Sequence, residues 1–149
     1  MNYLWVITCA ALVFLMQAGF MCLEAGLAAA KHSINVAIKN LADFIIAFIL
    51  FWVVGYGLMF GETHGGLFGW SDFFIGVDDP WRLAFFVFQS VFVGTAATID
   101  SGAIAGRAKF RTYLIISGVI SAVIYPIFGH WAWGGLFHDQ EGWLELRGF

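Results

Sequence analysis

FQSVFVGTAATIDSGAIAGR, residues 88–107, opens apolar and aromatic and then turns small, through Gly94, Thr95, Ala96, Ala97, Thr98, Ser101, Gly102, Ala103, Ala105 and Gly106. Together with residues 83–87 it reaches the roughly 20 residues that a helix needs to cross a bilayer. A helix facing lipid gains nothing from so much Gly, Ala, Ser and Thr. One packed against other helices does, because small residues let backbones approach closely. Beside Phe88 and Phe92, small residues also suit the wall of a narrow path. A plain packed helix accounts for the same composition, so residue types alone leave both readings open.

The rest of the chain has the composition to house such a helix. Of 149 residues, 61% are hydrophobic and 19% aromatic, and only 11% are charged, against about 25% in soluble domains. Mean hydropathy is +0.85. A soluble fold of this size cannot hide so much apolar surface, so the expected surroundings are a lipid bilayer. The net charge of -3 makes nucleic acid an unnatural partner. Cys9 and Cys22 sit in one apolar run and read as small packing residues, not as a disulfide or metal framework. No nucleophile–base set and no cluster with metal-ligand spacing stands out. An enzyme, a metal and a cofactor are therefore not expected.

Four apolar segments are predicted as membrane helices, at about 4–27, 41–60, 83–105 and 113–135, in one all-α membrane domain over residues 1–149. Residues 1–3 lack the positive charge of a secretory signal, and the first run is too long for a signal's apolar core. Gln17 and Glu24 interrupt it. Glu24 is read as lying near the interface or bonding a neighbouring helix, ahead of a role in a pathway. Residues 28–40 are polar by this chain's standards and read as a connection, with His32 on its surface. Asp43 is expected to pair with Lys39, four residues earlier on one helical face.

Residues 61–81 hold glycines for turns, interfacial aromatics, and Glu62, Asp72, Asp78 and Asp79 without a Lys or Arg. An acidic mouth of this kind raises the local cation concentration, although each acid alone reads as an ordinary solvated residue. Asp100, inside the third segment, is the most unusual residue of the chain. Pro126 should kink the fourth segment or leave a carbonyl free. Lys31, Lys39, Arg107, Lys109 and Arg111 fall on one side of the four spans, and only Arg82 and Arg147 on the other. The positive-inside rule then predicts an extracytoplasmic N-terminus in a multi-pass protein of the cell membrane.

If the cargo is a small cation such as ammonium, its recruitment calls for weak, reversible attraction. Aromatic faces supply about 0.5–2 kcal/mol through cation–π contact. Phe88, Phe92, Trp131 and Trp133 are the candidates. A narrow apolar lane beyond them excludes hydrated Na⁺ and K⁺. Ammonium escapes that penalty by leaving its proton behind and crossing as ammonia.

The stretch 88–107 also resembles the third transmembrane helix of the ammonium transporter family (Amt, Mep and Rh proteins). GFMCLEAGLAAAKHSINVAIKNL at 19–41 and PIFGHWAWGG at 126–135 are similar to the same family, in its order. The resemblance implies the N-terminal part of an eleven-helix bundle, ammonium or ammonia as cargo, and homotrimers of the full-length protein. It places Phe92 at the family's outer gate phenylalanine. It places Trp133 at the tryptophan that stacks on ammonium. Phe88, Gln89 and Trp131 flank these without assigned roles, and His130 reads as structural. Three positions depart from the family pattern: Asp100 for an apolar residue, Gly106 for a common Glu, and Leu136 for a third glycine after Trp133.

The family's two pore histidines belong to later helices, so the chain reads as a fragment of a longer subunit. Transport within that subunit is the leading expectation. The alternatives are an ammonium-sensing membrane domain of a signalling fusion protein and a fragment inactive on its own.

Overall fold

The structure, a computed structural model, describes residues 3–28, 30–76, 78–104, 109–138 and 142–148, without the side chains of residues 101 and 103. Among the described residues, four helices are long and apolar enough to cross a membrane: Tyr3–Leu27, Ala30–Phe60, Pro80–Asp100 and Phe110–Leu136. The helix of the third span itself continues to Ile104. The all-α membrane fold read from the sequence is the fold observed.

The third span is the most enclosed. It is 61% buried over its apolar window, against 11% for the first span. Ser90, Val91, Val93, Thr95, Ala97 and Thr98 are all buried. A Cβ built at Gly94 would stand 2.6 Å from Phe44 Cδ2, so the glycine is what admits the second span's ring. Gln17 of the first span donates to Thr98 Oγ1 at 2.6 Å. The third helix starts where the sequence says Asp-Asp-Pro. The Asp79 carboxylate accepts from Trp81 N–H at 2.9 Å, and Pro80 lies just inside the helix, where its missing N–H matters least.

The second span corrects the reading of residues 28–40 as a connection. A short 3₁₀ turn, Ala30–His32, leads directly into the helix Ser33–Leu50. Val36, Asn40, Asp43 and Ala47 form its buried stripe, at spacings of four, three and four. Polar residues are tolerated there because they meet partners. Asn40 donates to Glu24 Oε2 at 3.1 Å, so Glu24 does bond a neighbouring helix. The Asp43–Lys39 pair does not form. Asp43 accepts from the Tyr113 hydroxyl instead, while Lys39 Nζ sits 5.5 Å from the centre of the Tyr113 ring.

Pro126 is accommodated by a π turn, Ile120–Ile124, just before it. The wider turn absorbs the hydrogen bond that proline cannot make. The second span has a π turn of its own, Phe51–Gly55, and the two meet. A Cβ at Gly55 would lie 3.0 Å from Ser121 O and 3.1 Å from Pro126 Cγ. Around this contact sits an aromatic core of Phe51, Tyr56, Phe60, Phe85 and Phe86. Phe51 and Phe86 stack at 5.8 Å and 9°. Lipid is as apolar as these rings, so their advantage is packing and ring geometry, about 0.5–1.5 kcal/mol per pair.

Between the second and third spans, Thr63–His64 pairs antiparallel with Phe68–Gly69 as a small hairpin. The loop is tied back to the second span by the Trp52 indole N–H, which donates to Ile75 O at 3.1 Å. Asp100 is half-buried in the third helix. Gly106 and Arg107 lie outside the described residues.

Candidate functional site

The HWAWGG stretch closes the fourth span, and its side chains have different fates. His130 is 0% exposed. Its Nδ1 lies 2.9 Å from Met59 O and its Nε2 lies 2.8 Å from Thr63 Oγ1. Trp131 donates its indole N–H to Leu67 O at 2.7 Å, and its carbonyl accepts from Leu144 N–H at 2.8 Å. Both residues fasten the helix end to the hairpin and to the following segment. Trp133 does neither. The helix Tyr125–Trp133 ends at it, its backbone turns away at φ −155° and ψ 32°, and the residue is left 39% exposed.

Phe92 is half-buried on the third helix, packed edge-on against Phe88 at 5.0 Å. Among the described residues no ring contact joins Phe92 to Trp133. A ladder of rings runs between their neighbourhoods instead. Phe88 leans on Phe85 at 6.4 Å, Phe85 meets Phe137 at 5.2 Å, and Phe137 lies just past the 3₁₀ turn Gly134–Leu136. Phe137 drew no attention in the sequence because nothing local marks it. Its role appears only where the third and fourth spans meet.

The acids at this end are mostly committed to structure. Asp72 is bound by Arg82 at 2.8 Å and by His138 at 2.9 Å. Burial pushes the Asp72 carboxyl up, but hydrogen bonds from His138 and Arg82, and their charge, hold it below the usual carboxylate range. Arg82 also lies 5.3 Å from the centre of the Phe137 ring. Asp79 caps the third helix. Of the four acids read as an acidic mouth, Glu62, Asp78 and Asp79 are exposed to solvent. Asp72 is withdrawn from the mouth by its pairing with Arg82 and His138. Chemically, this end offers aromatic faces backed by a rigid frame. Among the described residues no cluster could hold a metal ion.

At the opposite end, Glu24, Asn40, Asp43 and Tyr113 form polar links between the first, second and fourth spans. Glu24 also approaches the third helix: a Cβ at Gly102 would stand 3.4 Å from its Oε1. The sequence signal for this cluster was the stripe 36, 40, 43, 47, visible once the second helix is extended back to residue 33.

Comparison with known proteins agrees with this arrangement. The model of the Ammonium Transporter Family matches residues 4–149. The Synechocystis sp. protein sll0537 is 53% identical over 98% of this chain and 28% of its own length. Ammonium transporter Amt2 of Archaeoglobus fulgidus is 45% identical over 99% of this chain and 31% of its own. A solved structure titled Sensor Amt Protein superposes with a TM-score of 0.92 at 47% identity, covering 98% of this chain and 37% of that one. The chain thus spans about a third of the length of the curated relatives it matches. Four membrane-spanning helices in this packing, with the family's motifs in order along them, lead to one conclusion: the chain belongs to the ammonium transporter family.

Proposed function

We propose that this chain supplies the outer recruitment site of an ammonium-transporting membrane protein. In this reading Trp133 attracts ammonium through its ring face, and Phe92 guards the way inward. The observation that carries it is the contrast within HWAWGG. His130 and Trp131 are tied down, while Trp133 stands 39% exposed where the helix ends. An exposed ring attracts a cation by about 0.5–1 kcal/mol, rising toward 2 kcal/mol as water is excluded. That suits a site that must also release its cargo. The hairpin-bearing end then faces outside, as the basic residues at the other end suggest. Assembly of full-length subunits into trimers is part of the same proposal.

The test is methylammonium uptake by the intact protein in cells lacking their own transporters. Trp133→Leu should raise the KM by about 2- to 30-fold, the equivalent of 0.5–2 kcal/mol. An unchanged KM in a well-expressed variant refutes the site. A second reading, ammonium sensing, draws on the likeness to the Sensor Amt Protein. It is favoured if the wild-type protein binds ammonium yet moves no methylammonium.

A further inference from the structure

We infer that His130 is a positioning residue that sets where the indole of Trp133 is presented; the inference rests on Trp133 being the recruitment ring. A backbone carbonyl only accepts, so the 2.9 Å contact with Met59 O requires the hydrogen on Nδ1. In the neutral ring Nε2 then accepts from the Thr63 hydroxyl at 2.8 Å. The imidazole is therefore pinned at both nitrogens, to the end of the second span and to the hairpin. It also touches the chain on the far side of Trp133. A Cβ at Gly134 would stand 2.7 Å from Nδ1 and 3.0 Å from Cε1. The backbone after Trp133 thus lies against the same ring that precedes Trp133 by one helical turn. The ring works as a template for the turn at φ −155° and ψ 32°, and that turn fixes the position of the indole.

A merely structural histidine would also be buried and bonded, so the test needs a readout specific to Trp133. The intact protein is labelled with fluorotryptophan, and the Trp133 resonance is identified by its loss in Trp133→Leu. His130→Asn keeps a donor near Nδ1 and offers nothing at Nε2. Thr63→Val removes only the outer partner and is the variant expected to fold without difficulty. Both should move the Trp133 resonance, His130→Asn more than Thr63→Val. Both should raise the methylammonium KM with Vmax per folded molecule retained, by no more than the about 30-fold ceiling set by the ring itself. On a Trp133→Leu background, neither should raise the KM further.

An unmoved Trp133 resonance in both variants overturns the inference. So does a KM effect that persists in full without Trp133. If Trp133→Leu alone leaves the KM unchanged while His130→Asn still moves the Trp133 resonance, positioning stands and the recruitment reading is the part that fails.

Discussion

Gly55→Ala tests whether the two π turns are a matched pair. The added methyl would meet Phe51 Cδ2 at 2.5 Å, Ser121 O at 3.0 Å and Pro126 Cγ at 3.1 Å. The phenylalanine has some freedom, but a backbone carbonyl and a proline ring have little. Overpacking of this kind costs about 1–3 kcal/mol, set against a helix-propensity gain of up to about 1 kcal/mol for Ala over Gly. Gly118→Ala is the control. It also lies in a helix facing another span, yet meets only Leu50 Cδ1, at 3.2 Å. A leucine methyl can give by a few tenths of an ångström, so the control should lie within about 1 kcal/mol of wild type. The assay is reversible unfolding of the intact protein in mixed micelles. Gly55→Ala should be the less stable of the two by at least about 1 kcal/mol. If the two variants are equally stable, the contact between the π turns is not tight and the reasoning fails.

Two further predictions concern polar groups. Tyr113→Phe removes a hydroxyl from the buried Asp43 side chain and should destabilise the bundle by about 0.6–1.7 kcal/mol, the range of intramembrane hydrogen bonds; a double-mutant cycle with Asp43→Ala, which removes the acceptor, should show that coupling, and a cycle that sums to zero refutes it. At Asp72 the folded carboxyl lies below its usual range, so its contribution is complete above the unfolded value of about 3.9 and is lost as pH falls through the lower folded value. The protection factors of amides in the 61–76 loop, corrected for the intrinsic pH dependence of exchange, should therefore fall below about pH 4 in the wild type and show no such step in Asp72→Asn.

How far the sequence could be read depended on whether a residue's partner is local. Hydropathy marks a span without any knowledge of neighbours, and the small residues after Gly94 mark close packing for the same reason. The start of the second helix was lost because Lys31, Asn35, Lys39 and Asn40 lower its hydropathy. Hydropathy averages over the whole circumference, whereas only the stripe of Val36, Asn40, Asp43 and Ala47 is buried. The Asp43–Lys39 pairing failed for a related reason. Helical spacing makes the two residues neighbours, but it cannot reveal a tyrosine arriving from the fourth span. Phe92 and Trp133 were singled out through their motifs. The ladder of Phe88, Phe85 and Phe137 that runs between their surroundings was not, because it is assembled from two spans.

The π turns show how one substitution-sensitive residue in a span can be answered in another. Pro126 forbids a regular hydrogen bond, so the fourth span widens over Ile120–Ile124. The second span widens at the same level, over Phe51–Gly55, and offers a glycine where the two turns touch. The contact includes Pro126, in the first turn of the fourth span's final stretch, Tyr125–Trp133. His130 and Trp133 follow Pro126 at intervals of four and three. The direction in which the helix leaves the π turn therefore decides how His130 reaches Met59 and Thr63, and through that turn where Trp133 stands. A change at Gly55 should then be felt at Trp133 although the two never touch, whereas a change at Gly118, ahead of the π turn, should not be.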